Sequence, residues 1–273
     1  MIIDMHVHVF PDALAKRALG DVGETSHMPP VTDATVQDTR NKLKGWGIAA
    51  GVLLHIATKP GQQRKINQWA AEIQDDFFYS FGSVHPDDPD SVPELTRIRE
   101  LGLHGVKLHP DYQNFFANDK KAYPIYEAIQ DLGLPVTFHA GWDPVSPEVC
   151  HTPPSDLAEI ARRFPRMTII AAHLGGMEAC DEVERHLVGL ENVYLDTAMS
   201  YLFCEPEQTR RIIQNHGYEL ILFASDCPWS LPTKQIALID SLGLSTQALE
   251  HIYFRNAQRL LGIADIRPTT TKL

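Results

Sequence analysis

Eight short apolar segments recur along the chain, and each ends in a histidine or an aspartate. The first ends at His6 and His8; the others are Ile48 to His55, Phe77 to His85, Leu103 to His109, Leu134 to His139, Met167 to His173, Val193 to Asp196 and Leu220 to Asp226. From His8 to Asp226, seven intervals average about 31 residues, the length of a strand, a helix and two loops. Helix signals fill the gaps over Thr32–Trp46, Asp119–Leu132, Pro154–Phe164 and Glu205–His216, with Gly47, Gly102, Gly133 and Gly217 placed to stop helices and Ser155 or Asp156 to cap one. Strict β-α alternation implies a parallel sheet. Polar residues at every strand end, rather than at one switch point, favour a closed (β/α)8 TIM barrel over an open doubly wound α/β sheet.

One domain accounts for the length, since such barrels use roughly 250 residues and the chain has 273. The barrel is expected over 1–266, with Ser245 to Gly262 as a closing helix whose apolar side is Leu249, Ile252, Leu260 and Leu261, and 267–273 as a polar tail. A net charge of -11 without a Lys/Arg cluster opposes nucleic-acid binding, and no apolar run approaches the length of a membrane span. Cys150, Cys180, Cys204 and Cys227 are too widely spaced for a zinc ribbon or a disulfide framework. With the first strand beginning at Met1, no signal-peptide pattern precedes it, so a reduced, cytoplasmic protein is expected. A small molecule is the expected partner, and a homodimer is compatible with such a barrel.

In a (β/α)8 barrel the strand C-termini and the loops after them form the active site. More than half of the 13 histidines fall there. His6 and His8, two apart on a strand, point to one side. With His139 and Asp226 they offer three imidazole nitrogens and one carboxylate oxygen, a donor set for a divalent transition metal, zinc by default, with Mn2+, Fe2+ or Ni2+ as alternatives. Asp226 could take a proton from activated water, and His173 could serve as general acid or base, or polarise the substrate. Taken singly, His6 and His8 could be core histidines bonded to backbone; the other strand ends make that reading the poorer one. Asp196 is placed to orient a ligand or tie the seventh loop. His55 and His85 suit either substrate contact or structure, and Cys227 reads as packing.

Together, Asp4-Met-His-Val-His8, Val136-Thr-Phe-His-Ala-Gly141, Ala171-Ala-His-Leu-Gly-Gly176, Phe223-Ala-Ser-Asp-Cys-Pro-Trp229 and the terminal Asn256-Ala-Gln-Arg-Leu-Leu261 resemble the amidohydrolase superfamily, in its amidohydrolase-related branch, over essentially the whole chain. The resemblance implies metal-dependent chemistry with His6, His8, His139 and Asp226 as ligands, and His173 as catalytic residue or second-metal ligand. Two-metal members carry a carboxylated lysine at the end of strand four. Here Gly105-Val-Lys-Leu-His-Pro110 puts Lys107 in that strand, with His109 on the same face. A carbamate at Lys107 would imply two metals, with His139 and His173 on the second; a free amine would imply one.

The loops after the strands supply an aromatic set for the substrate: Trp142, Tyr112 and Trp229, beside His109, with Phe10, Phe115, Phe116, Tyr201 and Phe203 as further candidates. Arg17 and Arg64 are the nearest cations, so strongly anionic substrates are disfavoured. The expected reaction is hydrolysis of an amide, lactone or ester carbonyl by metal-activated water. The alternative is decarboxylation of an aromatic or dienoic acid, as in several enzymes of the resembling branch; those tend to be longer, and a carboxylate clamp is missing here.

Overall fold

The computed structural model describes residues 1–26 and 28–263. His27, the 266/267 boundary and the polar tail lie outside the described residues. Eight parallel strands follow the chain in order: β1 Ile3–Val7, β2 Ala50–Leu54, β3 Phe78–Phe81, β4 Val106–Leu108, β5 Val136–Phe138, β6 Ile169–Ala171, β7 Val193–Asp196 and β8 Ile221–Leu222. Continuous ladders join β1 through β3 and β4 through β8. The two seams are closed by backbone bonds. Lys107 N donates to the Gly82 carbonyl at 2.7 Å, and Gly82 N to the Gly105 carbonyl at 2.9 Å. On the other side Met5 N donates to Phe223 O (2.9 Å), Asp226 N to His6 O (2.9 Å) and His8 N to Cys227 O (2.7 Å). The sheet is therefore a barrel without a free edge.

Except at β7, the strands are shorter than the apolar segments that announce them, which run past the paired residues at both ends. The helices fall where the periodicity places them, at Val36–Gly45, Tyr123–Leu132, Pro154–Arg163 and Pro206–His216. Gly47, Gly102, Gly133 and Gly217 all adopt positive φ at helix ends. Thr35 caps the first of these helices by accepting from Asp38 N. Ser155 and Asp156 do not cap: Pro154 begins that helix, and both lie inside its first turn.

The closing helix runs as Thr246–Glu250, a π turn over His251–Arg255, and Asn256–Leu261. The Ile252 carbonyl in the π turn accepts from Phe223 N at 2.9 Å. Asn256 Nδ2 donates to the Tyr218 and Ile221 carbonyls, both at 2.7 Å, which pins the helix against β8. Ile252, Ala257 and Leu261 are buried, and Leu249 and Leu260 pack at the edge. No described helix is long and apolar enough to cross a membrane.

Candidate metal centre at the barrel mouth

β1 contains His6 and delivers His8 one residue beyond its end; His55, His109 and His139 each follow β2, β4 and β5 by one residue. One extra residue between Asp4 and Val7 shifts the β1–β2 register within the His-x-His stretch, a device that re-aims side chains beside active sites. His6, His8, His55, Lys107, His109, His139, His173 and Asp226 all line one cavity of about 1730 Å³.

The tautomers follow from what each outward nitrogen faces. His8 Nδ1 is 2.9 Å from the Leu54 carbonyl, which can only accept, so Nδ1 bears the proton and Nε2 a lone pair. His6 Nδ1 lies 2.9 Å from Asp196 Oδ2, His173 Nδ1 lies 3.3 Å from Ala198 O and His139 Nε2 lies 3.3 Å from Trp142 O. The inward atoms, Nε2 of His6, His8 and His173 and Nδ1 of His139, therefore present lone pairs to one another. His6 Nε2 and His8 Nε2 are 3.2 Å apart, and each is 3.3 Å from Asp226 Oδ1. His173 Nε2 is 3.1 Å from His139 Nδ1. Asp226 Oδ1 is buried and receives no hydrogen bond.

Facing lone pairs repel, and a cation between them reverses the sign. Donors about 2.0–2.1 Å from a tetrahedral ion would stand about 3.3 Å apart, which is the spacing of His6, His8 and Asp226. The donor set fits a divalent metal on this ground. His6, His173 and Asp226 also form one of two candidate metal-holding groups among the described residues.

Burial keeps the imidazoles neutral, as ligands must be. It pushes His139 and His173 down to about 4 and His6 well below its ordinary value. Burial acts to raise Asp226, but His6, His8 and His173 outweigh it and hold the carboxyl well below the usual range. Lys107 is fully buried on the cavity floor, its Nζ has no hydrogen-bond partner, and burial pushes it down to about 8.

Asp196 does both things expected of it. Its Oδ2 orients His6, while its Oδ1 accepts from His173 N (2.9 Å) and Ala198 N (3.0 Å). Asp226 sits at φ 68, a conformation held by its neighbours: Asp4 accepts from the Ser225 amide at 2.9 Å and from the Ser225 hydroxyl, and Ser225 Oγ accepts from Cys227 N at 3.0 Å.

Other candidates separate. Tyr112, Trp229, Phe10 and Arg64 line the cavity; Trp142, Phe115, Phe116, Tyr201, Phe203 and Arg17 are not among its lining residues. Trp142 is turned away because its indole N–H donates to Pro147 O at 3.2 Å, and it serves through its carbonyl. His85 is structural: its Nδ1 accepts from Asp87 N and its own N–H donates to Gln63.

Asp143, Asp111 and His151 were not anticipated. Asp143 Oδ2 lies 3.4 Å from His139 Nε2 and 3.5 Å from His109 Nε2, and burial pushes its carboxyl up to about 7. His109, His139 and Asp143 form the second candidate group. The His109 and His139 rings stack at 4.3 Å and 12°, so their lone pairs run nearly parallel and do not converge; we read Asp143 as an acceptor shared by two imidazoles. Asp111 stands behind, 3.9 Å from His109 Nδ1 and 2.8 Å from His151 Nδ1. A carboxylate two or four residues after a strand-end histidine is the signal that would have found both aspartates.

The profile of the amidohydrolase family matches residues 3–263. The chain belongs to the amidohydrolase family. A dihydroorotase of Helicobacter pylori (strain HPAG1) is 26% identical over 210 residues, 73% of this chain and 54% of that protein. The chain spans about half the length of the curated relatives it matches. Among solved structures, an amidohydrolase II is 18% identical with TM-score 0.74, covering 96% of this chain and 100% of that one. A dihydroxybenzoic acid decarboxylase from Polaromonas sp. JS666, with bound manganese and 2-nitroresorcinol, is 17% identical with TM-score 0.71, covering 98% and 99%. At such identities the likeness concerns the fold. The sequence matches thus include dihydroorotases, and the fold is shared with a decarboxylase.

Proposed function

We propose that the protein is a metal-dependent hydrolase of a small-molecule amide, lactone or ester. The observation that supports this most is the convergence of the His6, His8 and His173 lone pairs and the unpartnered Asp226 Oδ1 at the barrel mouth, with His139 Nδ1 3.1 Å from His173 Nε2 and every outward N–H facing an acceptor. His6, His8, His139 and Asp226 would hold the ion, with His173 completing the set or standing beside it, and zinc is the expected metal. A divalent cation there would polarise a carbonyl and lower the pKa of water from 15.7 toward about 7.

The chain's own groups do the rest. Asp226, held ionised, takes the proton of the attacking water. His173, with Nδ1–H directed at Ala198 O and Nε2 left free of the ion in this role, accepts that proton from Asp226 at Nε2 and delivers it to the leaving group, so both residues return to their starting states. Asp196 and Asp143 hold His6 and His139 in register. Tyr112 and Trp229 receive a flat group at the mouth.

The test is product analysis on the metal-loaded protein with amide, lactone, ester and aromatic-acid panels. Stoichiometric acid release with uptake of one solvent oxygen supports hydrolysis. Carbon dioxide release without consumption of water would replace it with the decarboxylase reading.

A further inference from the structure

The cavity that contains the metal focus does not end there. It continues from the barrel mouth between the helices Asp12–Ser26 and Gln63–Ile73. Its total volume of about 1730 Å³ exceeds the roughly 300–1,000 Å³ of ordinary small-molecule sites, and a single-ring acid at the focus would leave much of it vacant.

The walls of this extension carry an apolar set, with Gln62, Gln68, Glu72 and Arg97 among the polar residues that share the lining. Phe10 and Leu14 face it from the loop and helix after β1, Ile66 and Trp69 from the helix after β2, and Met199 and Trp229 close the mouth. His55 marks the junction. It packs edge-on against Trp69 at 5.2 Å, is buried, and its Nε2 has no partner. The ring face of His55 rests on the indole, while its unpartnered Nε2 is a polar atom at the junction. Exposed Arg64 and Lys65 lie on the lining of the same helix.

We infer that the substrate carries an extended apolar body, an acyl chain or fused aryl group of about eight carbons or more, lying along Phe10, Ile66 and Trp69 while its reacting carbonyl sits at the focus. This rests on the hydrolase reading for the position of the carbonyl. The size and apolar character of that body are argued from the cavity's volume and its apolar side chains, independently of the reaction. The physical reason is desolvation: along this corridor Phe10, Ile66 and Trp69 gain from groups that give up apolar surface to them.

The test uses metal-anchored probes and does not depend on turnover. The zinc-loaded protein is titrated with acetohydroxamate and octanohydroxamate by calorimetry. At a factor of about four per buried methylene, burying half of the six added methylenes would tighten binding about fifty-fold. Trp69→Ala and Ile66→Asp are each expected to cut the octano/aceto affinity ratio at least to about a fifth. Equal affinities for the two probes in the wild-type protein would overturn the corridor while leaving the metal focus intact, and no binding of either would overturn both. Chain-length-dependent binding without hydrolysis of octanoyl amides or esters would keep the corridor and remove the hydrolytic reading.

Discussion

At the scale of single residues, the site works by fixing where protons are. Each inward lone pair exists because the opposite ring nitrogen faces an acceptor, so the acceptors matter nearly as much as the ligands. Asp226→Asn is expected to keep the fold and lose nearly all turnover, because an amide can neither hold the proton nor balance the metal's charge; wild-type rates in that variant would remove Asp226 from its role. Asp143→Ala is expected to weaken metal affinity roughly 10–100-fold, read by chelator competition, while the melting temperature of the metal-free protein stays close to wild type. An unchanged affinity would make Asp143 a structural residue only. The strand-end histidines were legible in the sequence because each sits at the end of an apolar run. Asp143 and Asp111 were not, because they stand in loops whose path brings them back to His139 and His109.

Elements carry the next level of constraint. The backbone of Gly141 is tied between Thr152 and Met177, and a Cβ there would stand 2.1 Å from Met177 N and 2.4 Å from Met177 O, at φ +87. Gly141→Ala must therefore part the loops after β5 and β6. A loss of about 3 kcal/mol or more in urea unfolding is expected, against about 1 kcal/mol for Gly133→Ala, which has positive φ but open space. Similar losses in the two variants would show that packing at Gly141 is not the constraint.

The end of β2 gives a pH signature. Burial holds His55 at about 3, against 6.5 in the unfolded chain, so between those values the unfolded chain binds the extra proton and stability falls as pH falls. His55→Gln removes this component. In metal-free protein, the stability of the variant relative to wild type should rise by about 1–2 kcal/mol between pH 6.5 and 5; a difference independent of pH would mean that His55 is not held neutral.

For the whole molecule, the deciding quantity is metal per chain, measured on protein purified without chelator and again after chelation and reconstitution. About one equivalent is expected if Lys107 keeps its free amine; about two would indicate a carbamate at Lys107, with His139 and His173 on the second ion. No metal under either condition would leave the barrel without its proposed chemistry. The sequence by itself determined the barrel and the polar ring at its mouth. A parallel β-α repeat has few ways to bury its apolar faces, and each repeat writes its strand end into the local sequence. The tautomers, the turning away of Trp142, the backing by Asp143 and Asp196 and the extension of the cavity beyond the mouth emerge in three dimensions. These depend on which groups from distant loops meet within hydrogen-bond reach, and periodicity along the chain carries no record of that.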